Sequence, residues 1–255
     1  MNKLLVVIII FSLAISCVEK APKKAFFNSE SQNEFYNKVI RLTKVKDSIG
    51  INSILINEIT ATKEKNLEIW LDSIKLFTNW TGKISGIGQS QGETHTNLRF
   101  KIEFPEGASY SSEMKFHINY IVHNDSLQND LVYNNVKGMS NFTSVYFDGF
   151  VKRYPSGGIK YDYVGGNYYD SYEFNILSIS ENPIKEHSKE LDREIEKEFE
   201  IIDILKDYAD NKITDKEFKN KVDKNRNDSD LNELNDYERN YVLRLRQQLI
   251  RDFLK

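Results

Sequence analysis

The spacing of hydrophobic residues changes twice along the chain, and the first segment is continuously apolar. Leu4 to Ile15 is interrupted only by Ser12 and follows a polar, positive start at Asn2-Lys3. The run is shorter than the roughly 20 residues that a membrane-spanning helix needs. It is typical of the apolar core of a secretory signal peptide.

The next segment, residues 33–78, has apolar positions at helical spacing. One helix is predicted around Phe35 and Val39, and a second between Ile51 and Ile74. The polar stretch Thr60–Lys65 could interrupt the second helix. These apolar stripes predict faces that pack on the rest of the domain.

From Asn79 the period of the apolar positions falls to two, which predicts β-strands. In the clearest case, Leu98, Phe100, Ile102 and Phe104 alternate with Arg99, Lys101 and Glu103. A short helix with a loop is predicted over 125–139, between the third and fourth strands. The five predicted strands cover 80–87, 98–104, 116–122, 145–151 and 172 to about 180.

Five strands with a helical connection between the third and fourth are the layout of an OB-fold barrel. After the barrel, Asn182-Pro183 predicts a helix start, because Asn is a good N-cap and Pro fits the first helical position. Thr214 and Glu217 form a capping box that begins another helix, and a last helix is predicted over 241–253. The predicted fold is therefore α+β: a five-stranded OB-fold-like β-barrel with N-terminal helices and a C-terminal α-helical tail.

Cys17, the single cysteine of the chain, directly follows the apolar run. The stretch Leu13-Ala14-Ile15-Ser16-Cys17 resembles the lipobox of bacterial lipoproteins, although that family most often has Leu where Ala14 stands. The resemblance implies that Cys17 is lipidated and becomes the new N-terminus. Two or more acyl chains give a stable membrane anchor. A free, buried cysteine after an ordinary signal peptide is the alternative.

These features divide the chain into five segments. They are a signal peptide (1–16), a lipidated linker (17–32), the N-terminal helices (33–78), the barrel (79–180) and a helical C-terminal region (181–255). The expected location is the cell envelope, on a bacterial membrane and facing the periplasm or the cell surface.

Two further resemblances concern structure. The stretches 79–84, 98–104, 124–127 and 145–150 resemble bacterial proteins with an OB-fold domain similar to the tRNA anticodon-binding type, over about residues 33–180. Their shared motifs are structural and carry no catalytic group. Ile204–Phe218 resembles a short C-terminal helical hairpin module, which usually has Gly where Asn211 stands and usually ends the chain.

The charge balance bears on the choice of partner. The chain has 35 Lys+Arg and 38 Asp+Glu, a net charge of -3. Residues 181–255 hold 16 basic and 20 acidic side chains, so residues 17–180 hold 18 of each. Nucleic-acid binding needs a local excess of Lys and Arg. Composition therefore argues against a nucleic-acid partner, although it does not report where the charges lie.

The sequence shows no catalytic or metal-binding signature. The four histidines form no HExxH pair, and the sequence has no G-x-S-x-G. The stretch that begins at Asp223 has Asp228 and Leu234 where a calcium loop needs Gly and Glu. We therefore predict no catalytic residues, no metal site, no cofactor and a protein that is not an enzyme.

The connection between the fourth and fifth strands, Arg153 to Ser171, is rich in tyrosine and glycine. Exposed tyrosines offer a large contact surface at low entropic cost. We expect this loop to bind a protein, a peptide or a glycan, and a β-hairpin with cross-strand tyrosine pairs is the alternative. Its tyrosines are Tyr154, Tyr161, Tyr163, Tyr168 and Tyr169.

The expected function is therefore that of an envelope lipoprotein that binds or assembles other molecules without catalysis. Its expected partners are the membrane, through the lipid anchor, and an unidentified protein or glycan. A nucleic-acid-binding OB-fold protein is the alternative function.

Overall fold

The protein is described by a computed structural model that covers residues 29–48, 53–104, 114–154, 158–160, 171–227, 229 and 231–253. The predicted signal peptide and Cys17 lie outside the described residues. Among the described residues, no helix combines the length and the apolar character needed to cross a lipid bilayer.

The helices and strands follow the predicted order. Before the barrel are α1 (Glu30–Ser48) and α2 (Ser53–Ser73), and the second is continuous through Thr60–Lys65. The strands are β1 (Phe77–Gln91), β2 (His95–Glu103), β3 (Lys115–His123), β4 (Ser144–Val151) and β5 (Ser171–Ser180). A 3₁₀ turn (Asn124–Asn129) and α3 (Leu131–Gly138) join β3 to β4, and α4 (Lys189–Ala209), α5 (Asp215–Asn227) and α6 (Asp236–Phe253) follow β5.

The five strands close into a barrel in the order β1-β2-β3-β5-β4. The long β1 closes it, because its first half pairs with β4 and its second half with β2. The β3–β5 pair is parallel and the other pairs are antiparallel. This mixed five-stranded barrel with flanking helices confirms the predicted α+β fold class and is compatible with an OB-fold-like domain.

Aromatic rings fill the barrel, and α1 packs against its first strand. The rings of Phe116 and Phe174 stack with centroids 4.4 Å apart. Trp80 is fully buried and donates its Nε1–H to Ser31 Oγ at 2.8 Å. The side-chain amide of Gln32 pairs with the backbone of Thr81, donating to its carbonyl at 2.7 Å and accepting from its N–H at 2.8 Å. These bonds hold the start of α1 on β1.

The helical tail packs on the outside of β5. Ile176 and Leu177 are both fully buried although they point to opposite faces of the strand, one into the barrel and the other under the tail. Gln248 donates to the carbonyl of Ile176 at 2.8 Å, and Arg244 donates to the carbonyl of Leu177. A second apolar cluster from α4 and α6 therefore covers the outer face of β5.

The predicted helix start at Asn182-Pro183 is wrong. The helix begins at Lys189, and the N-cap is Ser188, whose side chain accepts from Leu191 N at 3.1 Å. The backbone before it is tied to the barrel instead, because Ile184 N donates to Asn79 Oδ1 at 3.0 Å. The tertiary contact therefore outweighs the local capping signal.

The predicted capping box of the tail is confirmed. In the capping box, Thr214 N donates to Glu217 Oε2 at 2.9 Å and Glu217 N donates to Thr214 Oγ1 at 3.3 Å. Asn211, just after the end of α4, has a φ of 56°. Asn is one of the few residues that adopt this left-handed conformation at a helix end readily.

Candidate binding face of the barrel

The exposed surface of β2 carries two cations, Arg99 and Lys101. Because side chains alternate along a strand, Phe100 and Ile102 point into the barrel while Arg99 and Lys101 point outward. The strand register places Arg99 opposite Asn119 and Lys101 opposite His117. Lys152, directly after β4, lies beside them. We call Arg99, Lys101, His117, Asn119 and Lys152 the cationic face.

A shallow groove of about 360 Å³ runs across the cationic face. Gly86 of β1 forms part of its border, where the β1–β2 register shifts between Ser85 and Gly88. Gly86 has a φ of 61°, a conformation that glycine adopts without strain. The bulge therefore bends β1 at the border of the groove.

The charges of this surface are only partly compensated. Lys152 pairs with Glu173 at 3.2 Å, and Lys115 pairs with Glu103 at 3.6 Å. Within the described part of the chain, no carboxylate lies within ion-pairing distance of Arg99 or Lys101. The groove therefore attracts anions, although residues 17–180 as a whole carry no net charge.

No Phe, Tyr or Trp projects outward from the described residues of β2 and β3. The outward positions hold polar or charged residues and Ile121. Two of them, His95 and His123, have their ring centroids 5.1 Å apart. Proteins that bind single-stranded nucleic acid stack successive bases on aromatic side chains. These two strands offer charge without such a platform.

The predicted tyrosine site is only partly described. Tyr154 lines a cleft of about 210 Å³ between the barrel and the tail, together with Phe150 and Phe199. Lys160 Nζ lies 5.6 Å from the centroid of the Tyr154 ring. Tyr161, Tyr163, Tyr168 and Tyr169 lie outside the described residues, so the loop site stays a prediction.

A buried polar cluster joins the barrel to the tail. The Asp148 carboxylate accepts from Asn79 N at 2.6 Å and lies 3.3 Å from His187 Nε2. The other ring nitrogen of His187 lies 3.2 Å from Asp192 Oδ1. Burial by itself lowers the pKa of His187, but its hydrogen bonds and charge interactions with the two aspartates outweigh burial and raise the pKa.

This cluster has the residue types of a catalytic pair but is positioned as a structural junction. The side chains of His187 and Asp148 are 8% and 1% exposed, so a substrate has little access to them. The neighbouring hydroxyl belongs to Tyr241, whose pKa burial raises well above its usual range. A neutral, buried phenol is a poor nucleophile.

No protein-family model matches the chain, and a search of curated proteins found no match. Functional inference therefore depends on the site itself. Sequence reasoning did not select the cationic face, although the alternation of Arg99 and Lys101 with buried residues was a visible signal. The missing information was the position of Lys152 and His117 beside them, which strand pairing determines.

Proposed function

We propose that the protein is a lipid-anchored binding module of the bacterial cell envelope that holds an anionic oligosaccharide on the cationic face. The observation that carries this proposal is the pair Arg99 and Lys101, which have no carboxylate partner among the described residues. They lie beside Lys152 in a groove on a chain whose net charge is -3. OB-folds bind oligonucleotides and oligosaccharides on the face of strands 2 and 3.

The chemistry of the face favours an acidic glycan over nucleic acid. The Arg99 guanidinium can donate two parallel hydrogen bonds to one carboxylate or sulfate group. Lys101 offers a second positive charge close by. Phosphate would also be attracted, but β2 and β3 present no outward Phe, Tyr or Trp among the described residues on which bases could stack.

The anchor at Cys17 is the second part of the proposal. The apolar run and the lipobox-like sequence support it, and together they would place the barrel outside the cytosol. An exported protein meets acidic envelope glycans more often than RNA. Binding without catalysis suits a face built from Arg and Lys, which hold anions by charge and hydrogen bonding.

The test is the binding of labelled hexagalacturonate to the purified full chain in detergent. We expect the double variant Arg99→Ala/Lys101→Ala to bind about tenfold or more weakly, because each removed cation was available to a carboxylate. Lys216→Ala/Lys221→Ala, on the exposed surface of α5, is the charge-matched control and should bind like the native chain.

Two results would contradict the proposal. One is unchanged affinity for hexagalacturonate in the Arg99→Ala/Lys101→Ala variant. The other is tighter binding of single-stranded oligodeoxythymidine than of hexagalacturonate at the same salt concentration, which would favour the nucleic-acid alternative. Neutral maltohexaose should not bind detectably, because it has no charge to pair with the face.

A further inference from the structure

A second groove, of about 350 Å³, lies between α6 and the end of β3. One wall comes from the end of β3, the 3₁₀ turn and the start of α3, and the other comes from α6. We call it the α6 groove, and the residues that matter for its chemistry are Asp130, Leu131, Leu243, Arg244, Gln248 and Arg251. It is separate from the groove on the cationic face, with no lining residue in common.

Arg244 and Arg251 both line the α6 groove, and neither has a carboxylate within ion-pairing distance among the described residues. Within the described residues, Arg251 forms no ion pair, and Arg244 donates to the backbone carbonyl of Leu177. Burial raises the pKa of Tyr120, and the positive charges of both arginines oppose that rise, so both lie near the same phenol.

The carboxylate of Asp130, which lines the groove, already accepts two hydrogen bonds from the protein. Asp130 Oδ2 accepts from the Tyr120 hydroxyl at 2.8 Å, and Asp130 Oδ1 accepts from Tyr133 N at 2.8 Å. Asp130 is therefore held by the barrel and the start of α3. The groove keeps an excess of positive charge that a ligand carboxylate would match.

A buried acceptor in the same groove lacks a donor. The Gln248 side chain is 4% exposed, and its Nε2 donates to the Ile176 carbonyl at 2.8 Å, which fixes the orientation of the amide. Its Oε1 has no hydrogen-bond partner within the described part of the chain. A buried carbonyl oxygen without a donor is unfavourable, so a shift of the groove wall that opened it to a ligand N–H would be stabilised.

The outer border of the α6 groove is apolar. Leu131 on α3 and Leu243 on α6 are 44% and 42% exposed, although leucine is usually buried. They offer a contact for an apolar side chain of a ligand that also reaches the arginines. A ligand that matches the groove therefore carries three groups: an anion, an N–H donor and an apolar side chain.

We propose that the α6 groove binds an acidic peptide segment. A Glu or Asp carboxylate of the peptide pairs with Arg251 and Arg244, and an apolar side chain packs against Leu131 and Leu243. A backbone N–H of the peptide donates to Gln248 Oε1 once a shift of the groove wall exposes that atom. A peptide carries these three groups within a few atoms of one another. This site is independent of the glycan site proposed for the cationic face.

The test measures fluorescence polarisation of a labelled Gly-Glu-Leu-Glu-Gly peptide with the purified full chain. We expect Arg251→Ala to weaken binding about tenfold and Leu243→Ala to weaken it about threefold, because each removes a contact without removing a bond of the fold. Arg41→Ala, an exposed arginine on α1, is the matched control and should bind like the native chain. The peptide Gly-Gln-Leu-Gln-Gly should bind far more weakly.

Three results would overturn the proposal. They are unchanged binding in Arg251→Ala, equal affinity for the Glu and Gln peptides, and full displacement of the peptide by hexagalacturonate. The proposal would also be overturned if Arg99→Ala/Lys101→Ala lost peptide binding while Arg251→Ala kept it. That result would assign the peptide to the cationic face. If hexagalacturonate does not bind the cationic face, the peptide-binding measurements still test the α6 groove.

Discussion

The Nε2 atom of His187 lies 3.3 Å from Oδ2 of Asp148, and this contact joins the segment before α4 to β4 of the barrel. Asp192 lies on the other side of the ring, 3.2 Å from Nδ1. A histidine between two carboxylates is stabilised in its protonated form, so this junction makes the stability of the protein depend on pH.

The sign of that dependence follows from the raised pKa of His187. Its stabilising contribution is fully present below the unfolded value of 6.5 and is lost as the pH rises through the raised value. We expect His187→Gln to lower the free energy of unfolding by about 1.5–3 kcal/mol near pH 5 and by much less near pH 8.5. Urea unfolding at both pH values measures this.

His95→Gln is the control for the His187 experiment, because His95 is exposed on β2. It should leave the difference between the two pH values unchanged. A cost of His187→Gln that grows with rising pH would contradict the assignment of a protonated ring between Asp148 and Asp192.

Gly149 is required by the close approach of β4 and β5. A Cβ at this position would collide with the carbonyl oxygen of Asn175 and the ring of Phe174. We expect Gly149→Ala to lower the free energy of unfolding by about 1–3 kcal/mol, measured by urea unfolding. Gly88→Ala is the matched control, because a Cβ there meets no atom within 4 Å. Equal effects of the two substitutions would contradict this packing.

The ion pair between Arg246 and Glu198 predicts an asymmetric pair of substitutions. Arg246 Nε lies 3.0 Å from both carboxylate oxygens of Glu198, whose side chain is 4% exposed while that of Arg246 is 38% exposed. Arg246→Met leaves a buried carboxylate without its partner and should cost about 3 kcal/mol. Glu198→Gln leaves an arginine that reaches water and should cost about 1 kcal/mol.

The double variant Glu198→Leu/Arg246→Met checks the same explanation. Replacing both members of the pair removes the buried charge, so part of the stability lost in Arg246→Met should return. Denaturant midpoints of the three variants provide the comparison. Two results would show that the buried charge does not cause the loss of stability. One is an equal loss of unfolding free energy in the two single variants, and the other is a double variant less stable than Arg246→Met.

The proposed anchor predicts lipid attachment at Cys17. Cells grown with labelled palmitate should incorporate label into the native chain and none into Cys17→Ser, because the thiol is the attachment point. The native chain should fractionate with membranes and the serine variant should not. Label in the serine variant, or native chain free of membranes, would contradict the anchor.

Local sequence patterns were sufficient for the kinds and order of the elements. The change to a period of two at Asn79 predicted the strands, and the strand-helix-strand order predicted the α+β barrel that the structure confirms. The Thr214–Glu217 capping box was also predicted correctly. The strand pattern and the capping box depend on neighbours within a few residues, so the local sequence is enough to predict them.

Tertiary structure decided the features that depend on distant partners. Asn182-Pro183 fails to begin a helix because the residues after it bond to Asn79 and Asp148 in the barrel. The cationic face exists because strand pairing brings Lys101 beside His117. A count of charges over residues 17–180 gives only a net charge of zero. Sequence fixes which side chains alternate along a strand, but closure of the barrel decides which strands lie side by side.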